Sequence, residues 1–471
     1  MITSKSFLSA AIFATILLFL SQDVMAQRNM DYRQLLMQKQ QDPVSVDQIV
    51  LPGDTDSTVT LATVFSLPYS YLPFKKNDQS NNNSEFYSTT ELSIEVFKSA
   101  DRNFNKKRED ISLKGLEPVA RAFWSDTAYA KNYSVSQSRH QFLNGYLATS
   151  LSPGSYGYVL QMRRGEDTDS RMSRAQTVRI PSYKDLKTGN VMFGEKLVEE
   201  DGQPQLVLSS LGQDVPYTKD FYTFAYIPNF DDQARYTLEI ANLNIQDKDT
   251  SKVGTVFSQQ LIDDNFRTNL RPSLAPTNSK ETRINLQSDT NGYTYALIRI
   301  PHEKLPNAMY RLNITKEGQG RPVASETFRS IWIDIPTSLL NLDVAVDMMH
   351  YIVDKKTLDR LSTGSQRERE RKFREFWSER DPTPDTEFNE LMAEYYRRID
   401  YAYENFTSEN LMGYNSDQGE VYIKFGPPKN IDRRFPTDGP TTEVWTYPSR
   451  EFVFQATTGF GDFKLVSNES R

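Results

Sequence analysis

The chain has 471 residues, 55 Lys and Arg against 62 Asp and Glu, a formal net charge of −7 and no cysteine. The missing thiols exclude disulfides, zinc–thiolate sites and cysteine nucleophiles, and the mixed, mildly acidic charge carries no basic footprint for nucleic acid. Aromatic residues make up 12% of the chain, 25 of them tyrosine, a content that suits half-buried sheets, and a chain of this length can bury several ordinary cores.

The N-terminus carries one cation at Lys5, an apolar run from Phe7 to Leu20, and a Val24-Met25-Ala26 site. This is the layout of a secretory signal peptide, residues 1–26, with cleavage after Ala26. The run is too short to span a bilayer, which takes about 20 residues. The expected mature chain therefore begins at Gln27, lacks a transmembrane segment and is exported to the periplasm or the extracellular space. Residues 27–57 read as a polar lead with a short helix over 32–39.

From 58 to 182 the chain reads as a first antiparallel β-sandwich, with strands at 59–65, 92–97, 142–147 and 156–162 separated by turn-rich stretches. Residues 183–204 read as a linker. A second sandwich follows over 205–336, with strands at 221–227, 236–240, 294–300 and 310–314. The endings of the two blocks repeat. Ser152-Pro153-Gly154-Ser155-Tyr156 leads through a Gly165 turn to Ile180-Pro181, and Leu305-Pro306 leads through Tyr310 and a Gly318 turn to Ile335-Pro336.

After 337 the period changes. Leu339, Leu342, Val346, Met349 and Val353 fall at helical spacing. A charged helix follows, with Phe373, Phe376 and Trp377 as its apolar stripe beside the run Arg367 to Arg374, whose charges read as a solvated face. Asp381-Pro382-Thr383-Pro384 breaks it, and Thr383 with Pro384 suits a new N-cap and first turn. The next helix is expected to bury Phe388, Leu391, Met392, Tyr395, Ile399, Tyr403 and Phe406. Strands at 420–425, 443–447, 452–454 and 463–466 complete an α+β domain over 337–471. The fold class is thus mainly β and multidomain, with two tandem antiparallel sandwiches followed by an α+β unit.

The C-terminal third resembles the GWxTD-domain family of exported bacterial proteins. The residues that carry the resemblance are Phe376-Trp377-Ser378-Glu379-Arg380-Asp381-Pro382, Glu394-Tyr395-Tyr396-Arg397-Arg398-Ile399, Gly413-Tyr414-Asn415-Ser416-Asp417, Gly419-Glu420-Val421-Tyr422-Ile423-Lys424-Phe425-Gly426-Pro427-Pro428, Glu443-Val444-Trp445, and Gly459-Phe460-Gly461-Asp462-Phe463. The family's tryptophan is Tyr414 here, its threonine is Ser416, and its usual acid after the Gly-Pro-Pro turn is Lys429. Both motif exchanges keep chemical type, as suits a structural site. An outer-membrane-bearing cell is implied by the resemblance alone.

The family motif, Gly413, Tyr414, Ser416 and Asp417, is placed between a helix and a strand. Gly413 is expected to make the turn, Tyr414 to pack on the helices, and Ser416 or Asp417 to bond loop amides. Gly426, Pro427 and Pro428 read as a rigid strand terminator, lacking the lysine and glycine spacing of a phosphate loop. Phe376, Trp377, Tyr395, Trp445 and Phe460 read as structural aromatics. His140, His302 and His350 show no metal-ligand spacing and no G-x-S-x-G occurs, so neither a zinc site nor a serine triad is expected. Asp247 with Asp249 and Asp263 with Asp264 read as turn formers rather than calcium ligands. Glu387, Glu390 and Glu394, with Asp381, Asp400 and Asp417, are the available acids for a glycosidase-like pair, against simple helical ion pairs with Arg397 and Arg398. No cofactor or metal is expected. The function expected is a non-catalytic interaction or scaffold protein of the cell envelope with a protein partner. The alternative is an envelope polysaccharide-binding protein or carboxylate-dependent glycan hydrolase.

Overall fold

The computed structural model describes residues 32, 34–35 and 44–470, except 79–83, 99–114, 166–170, 201, 218, 244–253, 277–279, 303–304, 334, 385–387, 409–410, 438 and 458–461. The chain divides into two units: one is Asp42–Ile333, and the other joins Asp334–Arg471 to residues up to Gln41. Among the described residues no helix is long and apolar enough to cross a membrane. The expected signal peptide lies outside them.

The Asp42–Ile333 unit opens, two-residue strands aside, with β1 (Ser45–Pro52), β2 (Val59–Pro68), β3 (Phe86–Lys98), β4 (Ala120–Ala130), β5 (Phe142–Leu151), β6 (Gly154–Arg164) and β7 (Gln176–Ile180). They form two antiparallel sheets, β1-β2-β5 and β4-β3-β6-β7. The longer strands that follow are β8 (Val191–Glu200), β9 (Gln203–Leu208), β10 (Phe221–Tyr226), β11 (Tyr236–Asn242), β12 (Thr255–Leu261), β13 (Phe266–Leu270), β14 (Arg283–Asn285), β15 (Tyr293–Ile300), β16 (Met309–Lys316) and β17 (Ala324–Ile331). Their sheets contain the orders β8-β10-β15 and β12-β11-β16-β17, with β9, β13 and β14 widening the first at its edges. Seven strands of the second half, β8, β10, β11, β12, β15, β16 and β17, repeat the connectivity of the first.

This repeat moves two boundaries. The stretch read as a polar lead holds β1, and the stretch read as a linker holds β8, the opening strand of the second repeat. Both mix polar residues with apolar ones, as in Ser45-Val46-Asp47-Gln48-Ile49, so pairing partners rather than local pattern make them strands. The repeated endings do correspond. Tyr156 in β6 donates its hydroxyl to the Ser152 carbonyl at 2.7 Å, and Tyr310 in β16, its counterpart, donates to Pro306 at 2.7 Å. Each bond spans four residues and pins the corner leading into its strand. Tyr156→Phe and Tyr310→Phe are each expected to cost about 1 kcal/mol, additively given their separation, as read by chemical denaturation.

The two repeats share a core. Along β8, β10 and β15 successive residues alternate between two clusters: Met192, Phe224, Tyr226, Tyr295 and Leu297 join the core of the first repeat, while Val191, Phe193, Ala225, Ala296 and Ile298 face the second. Strands alternate faces residue by residue, so the sheet β8-β10-β15 is buried on both sides. β2 is buried on both sides too, from Leu61 to Leu67. That explains its mostly apolar run, broken only by the small hydroxyl residues Thr63 and Ser66, since a strand covered on both faces loses its polar alternation. Phe224 stacks on Tyr295 at 4.4 Å, and Tyr183 bonds Tyr295 hydroxyl to hydroxyl at 2.8 Å. Asn190 to the Val50 carbonyl (2.8 Å), Asn144 to Lys280 (2.6 Å) and Arg271 to Gly53 (2.7 Å) tie the repeats at the rim.

The other unit contains α1 (Leu342–Asp347), α2 (Lys355–Ser362), α3 (Gln366–Ser378), α4 (Glu390–Phe406) and α5 (Asp417–Phe425), then an antiparallel sheet of β18 (Asn430–Arg434), β19 (Thr442–Thr446), β20 (Arg450–Ala456) and β21 (Phe463–Ser470) in that order. α3 begins at a capping box in which Ser365 and Glu368 satisfy each other's amides, as a Ser-x-x-Glu sequence permits. Three expectations are corrected. Residues 420–425 belong to helix α5, not to a strand: their β-branched and aromatic residues favour a sheet, but the Ser416 cap, acidic Asp417 and Glu420 in the first turn and Lys424 in the last prevail. The N-cap of α4 is Asn389, whose side chain accepts the Met392 amide and donates to the Trp377 carbonyl, rather than Thr383. The buried stripe of α4 is Ala393, Tyr395, Tyr396, Ile399 and Ala402, with Leu391 exposed. Helix α2 and strand β18 went unpredicted, both being strongly polar.

Candidate functional site

The family motif lies between two helices, α4 and α5. Gly413 is packed so tightly that a Cβ would stand 1.9 Å from the Ala402 carbonyl and 2.6 Å from the Thr407 amide, and the same atom on Gly419 would stand 1.9 Å from the Gly413 carbonyl. The two glycines let α4, the motif turn and α5 meet backbone to backbone. Ser416 fixes the crossing: its hydroxyl donates to the Gly413 carbonyl at 2.7 Å and accepts the Gly419 amide at 2.9 Å. Asp417 opens α5 and accepts the Leu465 amide of β21 at 2.8 Å, tying helix to sheet. Tyr414 packs edge-on to Tyr32 and stacks near Tyr403, with ring centroids 5.3 and 6.2 Å away, and its carbonyl accepts the Tyr351 hydroxyl.

Gly426 terminates α5, not a strand. At φ 77° it occupies a left-handed conformation that favours glycine, and its carbonyl accepts the Tyr447 hydroxyl at 2.8 Å. The Arg398 guanidinium, held by Glu394 at 2.9 Å, lies over the site of its absent side chain. After Pro427 and Pro428, the Lys429 amide starts the sheet at Thr446, with its side chain exposed.

Phe376, Trp377 and Tyr395 are buried together, Trp377 lying 5.4 Å from Phe376 and 5.6 Å from Tyr395. Trp445 packs 5.5 Å from Phe406 and 4.9 Å from Phe454. Phe460 lies outside the described residues. Trp445 also belongs to a polar centre that the sequence reading missed. The buried Glu443 carboxylate accepts the Trp445 indole N–H at 3.1 Å, the Gln418 amide at 2.9 Å and Arg433 at 2.6 Å. The spacing Glu443-x-Trp445 put both on one face of a strand, but Gln418 and Arg433 come from other elements.

The acids considered for catalysis have partners of their own. Glu394 pairs with Arg397 and Arg398, both at 2.9 Å. Glu390 accepts the Thr383 hydroxyl at 2.5 Å, and Asp381 accepts the Thr383 amide at 2.9 Å. Asp400 accepts the Thr337 amide at 2.8 Å and the Tyr32 hydroxyl at 2.5 Å. Burial, and next the Asp400 charge, hold the Tyr32 hydroxyl well above its usual range, so it stays a donor. Glu387, Asp247 and Asp249 lie outside the described residues. Asp263 and Asp264 sit in a single helical turn. His302 bonds Asp220 at 2.8 Å, which with Arg299 keeps that carboxyl below its ordinary range, and His350 Nδ1 lies 2.7 Å from the Asp347 carbonyl. His140 is exposed, just ahead of β5. Among the described residues no three His, Asp or Glu side chains converge as metal ligands.

A second group of acids gathers where β1 meets the second repeat. Asp214 is buried and holds Arg329 at 2.5 Å. Burial raises the Asp47 carboxyl, with Asp214 adding to the effect, and burial raises that of Glu326, with Asp47 adding. A raised acid contributes stability below about pH 4, its unfolded value, and loses it as pH climbs through the folded value. Asp47→Asn keeps the acceptor for the Ser45 hydroxyl and removes the costly charge. It is therefore expected to raise the melting temperature at pH 7, with the gain shrinking towards pH 4, as a pH series of thermal melts would show.

The sequence model of the GWxTD domain family matches residues 336–468. No curated protein matches the chain. Among solved structures, the chain is similar to the C-terminal domain of the Streptococcus pyogenes antigen I/II-family protein AspA, at 9% identity over 61% of this chain and 99% of that one, with a TM-score of 0.14. It is also similar to the chicken CNTN1 FN1-FN3 domains, at 9% identity over 61% of this chain and 66% of that one, with a TM-score of 0.13. Both likenesses are too slight to carry an argument. The C-terminal third of this chain is a GWxTD domain.

Proposed function

We propose that the protein is an exported, non-catalytic interaction protein of the cell envelope, whose sandwiches present a surface to a protein partner. The observation that carries this reading is the outer face of β4. Among the described residues β4 pairs on one side only, with β3. It exposes Phe123 (67%) and Tyr129 (46%), with Val119 (54%) just before it and Tyr133 (67%) in the turn that follows. Arg121 with Glu95 and Arg163 with Glu91 form ion pairs on the same sheet, at 2.9 and 2.6 Å. An aromatic centre with a paired, charged rim and a free strand edge is the composition of an interface. The family motif, by contrast, is occupied with internal packing.

The test is crosslinking in intact cells, capture of the tagged protein and mass spectrometry, comparing wild type with Phe123→Ser/Tyr129→Ser. The expected result is a reproducible envelope protein recovered with wild type and lost with the variant at unchanged melting temperature. Equal recovery with both would overturn the assignment of this surface. The glycan alternative draws on Glu394 and Asp417; it would gain if Asp417→Asn abolished release of sugars from envelope polymers while leaving the fold intact.

A further inference from the structure

We infer that the GWxTD domain carries a docking socket for a tyrosine-bearing helical turn, filled here by the chain's own Tyr32 and Leu35, and that this occupant is exchangeable. The socket goes beyond the β4 surface and is tested independently of it. Tyr32 and Leu35 are each 2% exposed, within the core of the C-terminal unit. They lie outside the 336–468 span matched by the family, and Tyr32 reaches Asp400 across 368 positions of sequence.

The walls are also held by contacts that do not involve the occupant. Asp400 and Tyr403 stand three residues apart on α4, hence on one face. Asp400 is oriented by the Thr337 amide at 2.8 Å and hydroxyl at 3.2 Å. Tyr414 is fixed by the motif turn, with its carbonyl held by Tyr351. Between them the Tyr32 ring lies 5.1 Å from Tyr403 and 5.3 Å from Tyr414, and its hydroxyl donates to Asp400. A polar end held by Thr337, with aromatic walls, suits one side chain type, a tyrosine, at little ordering cost. The occupant is the opposite case, since an isolated helical turn has no stability of its own in water. Its residence therefore rests on the socket and on the high effective concentration supplied by the tether. Cutting the tether should convert the segment into an ordinary, displaceable peptide.

The experiment uses the full chain with a specific protease site inserted between Gln41 and Asp42, cleaved after folding and followed by size exclusion. The N-terminal fragment is expected to co-elute with the body. Excess synthetic peptide of residues 27–41 should displace it, while the same peptide with Tyr32→Ala and Leu35→Ala should be at least about tenfold weaker as a competitor, one decade being about 1.4 kcal/mol. Tyr32→Phe in the chain, which keeps the ring and loses only the bond to Asp400, should weaken retention measurably. Release of the fragment with no change in melting temperature, or equal competition by both peptides, would overturn the socket. Loss of the body's circular dichroism when the fragment leaves would overturn exchangeability, making the segment a fixed part of the core.

Discussion

Gly413→Ala is expected to abolish stable folding of the C-terminal unit. The added Cβ would stand 1.9 Å from the Ala402 carbonyl and 2.6 Å from the Thr407 amide, far inside van der Waals contact, and both obstacles are backbone. Ala402 belongs to α4, so relief requires the last turns of that helix, which carry the fully buried Ile399 and Ala402, to shift within a packed core. Overpacking a core costs about 1–3 kcal/mol when side chains can adjust; here they cannot, and a loss above about 4 kcal/mol is expected, within the range reserved for such backbone conflicts. Gly320→Ala is the control, since a Cβ there meets nothing within 4 Å, and it should stay within about 0.5 kcal/mol of wild type. Near-ultraviolet circular dichroism and thermal melts of the full chain give the comparison. A Gly413→Ala protein that melts like the control would mean that the motif turn is not the packing point described.

The second large effect is at Trp445. Its side chain is 1% exposed, touches Phe406 and Phe454, and donates to Glu443. Trp445→Ala removes a core aromatic, which costs about 3–5 kcal/mol, and withdraws a donor from a buried carboxylate, which adds about 1–3 kcal/mol. Trp445→Phe should recover most of the packing but not the donor. Glu443→Gln tests the polar part directly: the amide nitrogen must face Gln418 and Trp445 or else Arg433, all of which are donors, so a loss of about 1–3 kcal/mol is expected. If Glu443→Gln is neutral in chemical denaturation while Trp445→Phe is costly, aromatic packing alone holds this corner.

These two sites also show how far local pattern reaches. Gly413, Ser416 and Asp417 were marked by sequence, and their structural duties as turn, cap and tie follow from residue type. The elements they connect were misjudged, because Val421-Tyr422-Ile423 has sheet-like composition and only the cap and end charges say helix. Trp445 was legible as a core residue, whereas the three donors on Glu443 were not, since Gln418, Arg433 and Trp445 converge only through the packing of α5 against β18 and β19.

What the sequence determined by itself is local and periodic: an apolar N-terminal run, short strands separated by turns, the repeated endings around Tyr156 and Tyr310, the charged helix α3 with its aromatic stripe, and the GWxTD resemblance. Each of these is written in residues within a few positions of one another. What only the tertiary structure decided is long-range. β1 and β8 became strands because neighbours supply their ladder bonds. The two sandwiches became one unit because alternate residues of β8, β10 and β15 feed two cores. Tyr32 entered the C-terminal core because Asp400, Tyr403 and Tyr414 form a socket that no window of sequence contains. Hydrophobic burial is non-directional, so a sequence specifies which residues seek cover, and the fold alone decides which surfaces cover them.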